Sequence, residues 1–545
     1  MSTTPHVAVI GAGHNGLVAA TYLARAGLEV TVLEAAPEPG GCIWTDERPS
    51  GHRLERGAID HSGMVEVAED LGLAAHGLAY LERDTVTAAA FGDGTTLVFP
   101  VSSEEAIERV GADGPAYRET VELAQRIFAM LDQFPEPPTL TALGAALAPL
   151  PGGDALFRTL LSSSETVLER RFASPYLRSA AAMHGAHPQL APWLPGTGMF
   201  ALLLAAAHDQ PTVRPIGGSK ALITALTSAV VAEGGTVRCG EAVTSLAPAG
   251  GRATVRLSSG DDLVADAVVS TLDIRRTVAV LDEPPAVMTD AAFSVGSGRF
   301  NVAELKIDLT FDGPIGGVCE EGGADDSLWL LQPRVDSLRQ AFAEIMAGRM
   351  PEAPAAMWAS PSAHDPSAAP DGGSSLWLSS FVPLHPAAGP WDESAEEAAA
   401  RRVLGAVGEV AGVDLAARAR EIVVSGPATW SQRLRSPDGN PNHLDLSVDQ
   451  LLGWRPPGMA GHRSALDWLY LSGAGTNPGG GLSGVAGRNA ARAVLADLGR
   501  PASTNRNGAH PAVAAAARSG RLVRDEATAL WNGFRMYRSM RRGAR

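Results

Sequence analysis

Gly11, Gly13 and Gly16, with an acid at Glu34, are the residues whose types and spacing most directly suggest chemistry. The spacing Gly-x-Gly-x-x-Gly frees backbone for close approach to phosphate, and a carboxylate further on accepts hydrogen bonds from ribose hydroxyls. Gly11 permits a sharp turn. Gly13 puts no Cβ in the path of a pyrophosphate, and Gly16 lets a helix pack tightly on a sheet. These residues act together only if particular elements carry them. His6-Val-Ala-Val-Ile10 must be a strand, and Glu29-Val-Thr-Val-Leu33 a second strand ending at the acid. Between them a helix must open just after Gly13, aiming free N–H groups and its positive dipole end at the phosphates. Strand, turn, helix, strand and acid within about 30 residues predict a dinucleotide-binding βαβ unit.

Further runs extend the pattern. After Glu34 come Gly40-Gly41-Cys42 and Thr45, then Gly51, Glu55 and Gly57. Near the other end, Leu469-Tyr-Leu471 leads into Ser472-Gly473-Ala474-Gly475 and Gly479-Gly480-Gly481-Leu482-Ser483-Gly484 before a helical stretch from Val485. Just upstream stand Asp438-Gly-Asn-Pro-Asn-His443, Asp449-Gln-Leu451 and Arg455-Pro456. In the middle, Pro215–Lys220, Thr236–Cys239, Glu241–Val243 and Ala265–Thr271 fill the gap. Together these runs resemble the phytoene dehydrogenase/desaturase-like family of FAD-dependent oxidoreductases. They resemble in particular its branch with pyridine nucleotide-disulphide oxidoreductase domain proteins, within the amine-oxidase-like superfamily. The resemblance implies an α/β fold: a glutathione-reductase-like FAD-binding Rossmann domain with an inserted α+β substrate domain. It implies FAD as cofactor, with Gly40 and Gly41 near the pyrophosphate and ribityl chain and the backbone of Val243 at the adenine. Gly473 and Ala474 would lie along the pyrophosphate and ribityl chain, and Gly481, Leu482 and Ser483 would precede a helix aimed at the flavin ring. Two positions depart from the wider pattern: Cys42, where many relatives carry Arg, and Ala474, where many flavoproteins carry Asp.

The implied reaction removes hydride from a C–H bond to flavin N5, with loss of a neighbouring proton, and leaves a double bond. The substrate would be a hydrophobic small molecule, isoprenoid or polyene-like, in a dry apolar pocket, and the electron acceptor oxygen or a quinone. Two other readings share the fold. A flavin amine oxidase would be favoured by a covalent Cys in the C-terminal motif, and residues 460–500 contain none. A non-catalytic lipid-binding carrier of the dissociation-inhibitor type would be favoured by decayed glycine loops, and both loops are intact. Three residues are candidates for catalysis, each with a plainer reading beside it. His443 lies in the family-like run, and its plainer reading is a structural histidine. His61 follows the glycine motif. Lys306 matches in type the lysine that amine-oxidase relatives keep near flavin N5, and reads otherwise as an exposed strand lysine. Arg455 would close on the flavin or hold Asp449. Trp44, Trp454 and Phe200 would line a pocket or fill the core. Cys42, Cys239 and Cys319 are too scattered for a zinc site or a redox pair, so no metal is expected.

A chain of 545 residues exceeds one simple core. The FAD-binding domain is expected from residues 1–75, 211–285 and 460–500, and the substrate domain from 76–210, mostly helical, and 286–459. A Pro/Ala/Ser-rich loop is expected at 351–373. The net charge of −16 speaks against nucleic-acid binding. It is unevenly spread: residues 518–545 carry eight Arg, a formal +6, leaving −22 for the rest. This basic tail (501–545) has apolar residues at helical spacing. It reads as a helix docked on the acidic body or as a peripheral membrane contact. Low cysteine content and the lack of a signal-like run fit a cytoplasmic protein, and the Arg/Ala bias a bacterial one.

Overall fold

In a computed structural model, the described residues are 4–500 apart from 132, 133, 135, 317–326 and 437. The basic tail therefore lies outside the described residues. A parallel five-stranded sheet runs in the order Leu469–Leu471, Ala267–Ser270, His6–Ile10, Glu29–Glu34, Thr236–Cys239. Val7 sits between Ala267 and Val30, and Val269 opposite Tyr470. These strands are short apolar runs because both faces are covered. Val7 and Val9 point to helices His14–Arg25, Lys220–Ala232 and Val485–Asp497. Ala8 and Ile10 point the other way, toward a three-stranded antiparallel sheet holding Leu246 and Val255. The mixed α/β fold with a Rossmann-like parallel core follows from that alternation. Helices His14–Arg25 and Val485–Asp497 touch closely: a Cβ on Gly487 would overlap the Asn15 carbonyl, and Gly487 N–H donates to Asn15 Oδ1 at 3.3 Å.

A second sheet has seven strands, ordered Glu421–Ser425, Val302–Phe311, Ser374–Pro383, Ala356–Ala359, Trp329–Gln332, Thr85–Phe91, Thr96–Pro100. Residues 302–311 alternate strictly. Ala303, Leu305, Ile307, Leu309 and Phe311 enter a core shared with helix Glu393–Ala411, whereas Glu304, Lys306 and Asp308 share the opposite face. The 76–210 segment is mostly helical, with Thr85–Phe91 and Thr96–Pro100 as sheet strands ahead of its helices. One expectation is corrected here. The stretch 351–373 is not merely a loop. Ala356-Met-Trp-Ala359 is a buried strand between two others, because four apolar residues bracketed by prolines outweigh the composition around them.

Candidate active site

The two glycine turns meet on one residue. Gly11 has φ +97°, where a side chain is strained, and its Cβ would overlap Thr271 Oγ1. A Cβ on Gly473 would lie 2.6 Å from the Thr271 carbonyl oxygen. Thr271, at the end of Ala267–Ser270, is thus wedged between turns separated by most of the chain, and its hydroxyl donates to Ile10 O at 2.7 Å. Gly16 approaches just as closely: its Cβ would overlap the Gly11 carbonyl. Gly40 N–H donates to Ala12 O at 3.0 Å, which brings Gly41 against Gly13. Glu34 fastens this turn with both oxygens, accepting from Ala12 N and Ala36 N at 2.8 Å each. It does so while still lining a trough of about 430 Å³ that also takes in Gly11, Gly13, Gly16, Gly41, Val243, Gly473 and Ala474.

At Gly13 the trough lies open: a Cβ there would meet nothing within 4 Å. The bare helix start and this open path fit the pyrophosphate of a dinucleotide. Arg276, Arg433 and Arg435 supply the matching charge along the trough, and sequence reasoning missed all three. Arg433 Nε donates to Gly41 O at 3.0 Å, and its guanidinium lies 4.4 Å from the Trp44 ring centroid, as does that of Arg56. It therefore brings a cation beside Cys42, from a helix (Pro427–Leu434) far along the chain. Cys42 lines the trough with its thiol pushed up to about 11 by burial, so it stays neutral.

His443 lies on the trough, at φ +62°, with Nδ1 buried and without a partner. Burial lowers its pKa to about 4, so the ring is neutral at neutral pH. Arg455 is wholly buried and does not hold Asp449, which pairs with Arg299 at 3.0 Å. It donates instead to the carbonyls of Asn442, Leu444, Asp445, Gln450 and Ala474. That tie binds the His443 loop to the C-terminal glycine turn.

A second cavity of about 460 Å³ adjoins the first, and both are lined by His14, Cys42, Pro441 and Ala474. Its walls include Ile43, Ile59, Leu203, Met357, Trp377, Trp430, Gly481 and Leu482. Lys306 reaches this chamber, so the exposed-lysine reading is corrected: it is 3 % exposed. Its ammonium pairs with Asp308, lies 4.8 Å from the Trp377 ring centroid, and has its pKa lowered to about 8 by burial. Asp308 also faces Arg56 Nε at 3.4 Å. Glu304, one strand repeat away, lines the same chamber, and burial raises its carboxyl to about 7. The Glu-x-Lys-x-Asp alternation was a legible signal for these neighbours.

The other candidates fall elsewhere. His61 is a buried core residue lining neither cavity. It hydrogen-bonds Ser219 Oγ at 3.1 Å, meets Tyr80 edge-on, and is held neutral by burial, its pKa near 3. Its place after the glycine motif put it close in sequence, but the chain turns it inward. His443 touches the trough and not the chamber. Ser483 lines neither cavity; its hydroxyl accepts from Val485 N–H at 3.4 Å at the helix start. Phe200 packs in a small cluster with Leu190, Leu446 and Leu451.

Comparison with known proteins bears on this geometry. A family profile described as flavin containing amine oxidoreductase matches residues 16–495. Pyridine nucleotide-disulfide oxidoreductase domain-containing protein 2 of Mus musculus is 28% identical, covering 90% of this chain and 93% of its own. Hydroxyneurosporene desaturase of Cereibacter sphaeroides is 28% identical, over 91% and 98% of the two chains. Phytoene desaturase (lycopene-forming) of a Paracoccus species is 26% identical, over 90% and 97%. Among solved structures, an oxidoreductase from Methanosarcina mazei superposes with TM-score 0.60 at 18% identity, over 90% of this chain and 100% of its own. Putrescine oxidase bound to putrescine does so at 0.60 and 16%, over 91% and 99%.

Proposed function

The chain belongs to the flavin containing amine oxidoreductase family, and from that premise we propose that it dehydrogenates an apolar small molecule held in the chamber beside the trough. It is an FAD-dependent oxidoreductase of the desaturase-like kind. When bound, FAD supplies the two-electron acceptor. The residues of the chain do the rest. Gly13 and the helix start behind it take the pyrophosphate, with Arg276, Arg433 and Arg435 balancing its charge. Glu34 faces the adenosine ribose and Val243 the adenine. Gly40, Gly41, Gly473 and Ala474 follow the ribityl chain, and Gly481 and Leu482 approach the ring, while Ser483 acts only through the helix start. The apolar chamber wall excludes water. Lys306 and Glu304 hold protons there, and His443 touches the cofactor rather than the substrate.

We read the seven-stranded sheet and its helices as a substrate domain inserted into a glutathione-reductase-like nucleotide domain. The substrate is isoprenoid or polyene-like, the electron acceptor oxygen or a quinone, and the basic residues 518–545, outside the described residues, serve either to dock on the acidic body or as a peripheral membrane contact. The observation that carries the reading is the junction of the two cavities at His14, Cys42, Pro441 and Ala474. Amine oxidation is the second reading, favoured by one feature: a buried lysine on the chamber wall. Among the described residues no helix is long and apolar enough to cross a membrane. The test is anaerobic bleaching of the flavin, near about 450 nm, against panels of isoprenoids and of primary amines. Bleaching by isoprenoids is expected. Bleaching by amines alone selects the second reading, and a colourless protein refutes both.

A further inference from the structure

The chamber carries a polar feature that desaturating a hydrocarbon does not call for. Its wall is largely apolar, yet Glu304, a partly exposed residue, lines it. The neighbouring charges are already matched. Lys306 is paired with Asp308, and Arg56 with Asp308 and Asp46. Gln189 lines the same cavity and is held in place: it is 6% exposed, sits at φ +63°, and donates its N–H to Ala186 O at 2.8 Å. A carboxyl has more hydrogen-bonding capacity than one amide satisfies. A hydrocarbon closing the chamber would strip water from that carboxyl and return nothing.

We propose that the substrate is an amphipathic molecule, an apolar chain ending in a neutral hydroxyl that Glu304 and Gln189 grip at the chamber wall. The inference rests on the chamber being the substrate site. Charge selects the hydroxyl. An ammonium would stand near the Lys306 ammonium on the same strand face, and a carboxylate would face Glu304. A hydroxyl donates to the ionised carboxyl and accepts from the protonated one, so it suits Glu304 in either state.

The test uses the full-length flavin-loaded protein. Absorbance of the oxidised flavin is titrated with geraniol, farnesol and decanol, each against the hydrocarbon in which hydrogen replaces the hydroxyl, and with geranylamine. Each alcohol is expected to bind about tenfold or more tightly than its hydrocarbon, the ratio that one well-formed hydrogen bond to a charged group supports. Glu304→Leu should cut the ratio to below about threefold, and Gln189→Leu should lower it while leaving the flavin spectrum intact. Equal binding within the pairs, no response to any alcohol, tighter binding of the amine, or a ratio that survives Glu304→Leu overturns the inference. The pairwise comparison in the unaltered protein stands even where a variant does not fold. A protein that purifies without flavin refutes the redox reading instead.

Discussion

Replacing Gly13 with valine separates cofactor binding from folding. Gly13 has φ −72° and ψ 170°, a conformation open to any residue, and a Cβ there touches nothing within 4 Å. The protein without cofactor therefore tolerates the change. Its cost is that of a poorer residue at the start of helix His14–Arg25, up to about 1 kcal/mol. The holoprotein does not tolerate it, because the new methyls fill the pyrophosphate path. Loss of two charge-assisted hydrogen bonds from the helix start, at ~1.5–3 kcal/mol each, removes about 3–6 kcal/mol. Retention should weaken by about a hundredfold to ten-thousandfold. Gly16→Ala is the contrasting control: its Cβ overlaps the Gly11 carbonyl, so the fold itself suffers. The assay is flavin content per chain after gel filtration, beside the thermal midpoint of flavin-stripped protein. Gly13→Val should lose flavin with little change in that midpoint, and Gly16→Ala should lower the midpoint. A yellow, stoichiometrically loaded Gly13→Val protein would refute the placement of the pyrophosphate.

Arg455→Met strips the partner from five carbonyls and should cost about 3–5 kcal/mol. Flavin should be released at a lower denaturant concentration, followed by its fluorescence. The chamber pair sets a pH signature in stability. Glu304 titrates near 7 folded against 4.5 unfolded, so the folded state binds more protons in that window and stability falls as pH rises through it. Lys306 titrates near 8 folded against 10.5 unfolded, so there the unfolded chain binds more protons and stability rises with pH. Denaturation across pH should show both slopes, with Glu304→Gln erasing the first and Lys306→Met the second.

The nucleotide half was legible because its geometry is local. A glycine at φ +97° beside Thr271, and another whose Cβ would strike the Gly11 carbonyl, are demands that the sequence must meet in residue type, and glycine meets them visibly. The apolar strands and the acid after the second one follow equally from pattern. The chemistry of the chamber was not legible in the same way. Period-two alternation says that Glu304, Lys306 and Asp308 share a face, but not whether that face meets solvent or a cavity; the elements packed over it decide. His61 shows the converse, since it stands next to the motif in sequence and yet is sealed into the core. Arg433 arrives beside Cys42 from a helix hundreds of residues away, a substitution in space that one-dimensional spacing does not record. Residue identity by itself determined where the backbone must turn and bind; long-range packing decided which side chains meet the ligand, because burial and charge are properties of neighbours the chain acquires only on folding.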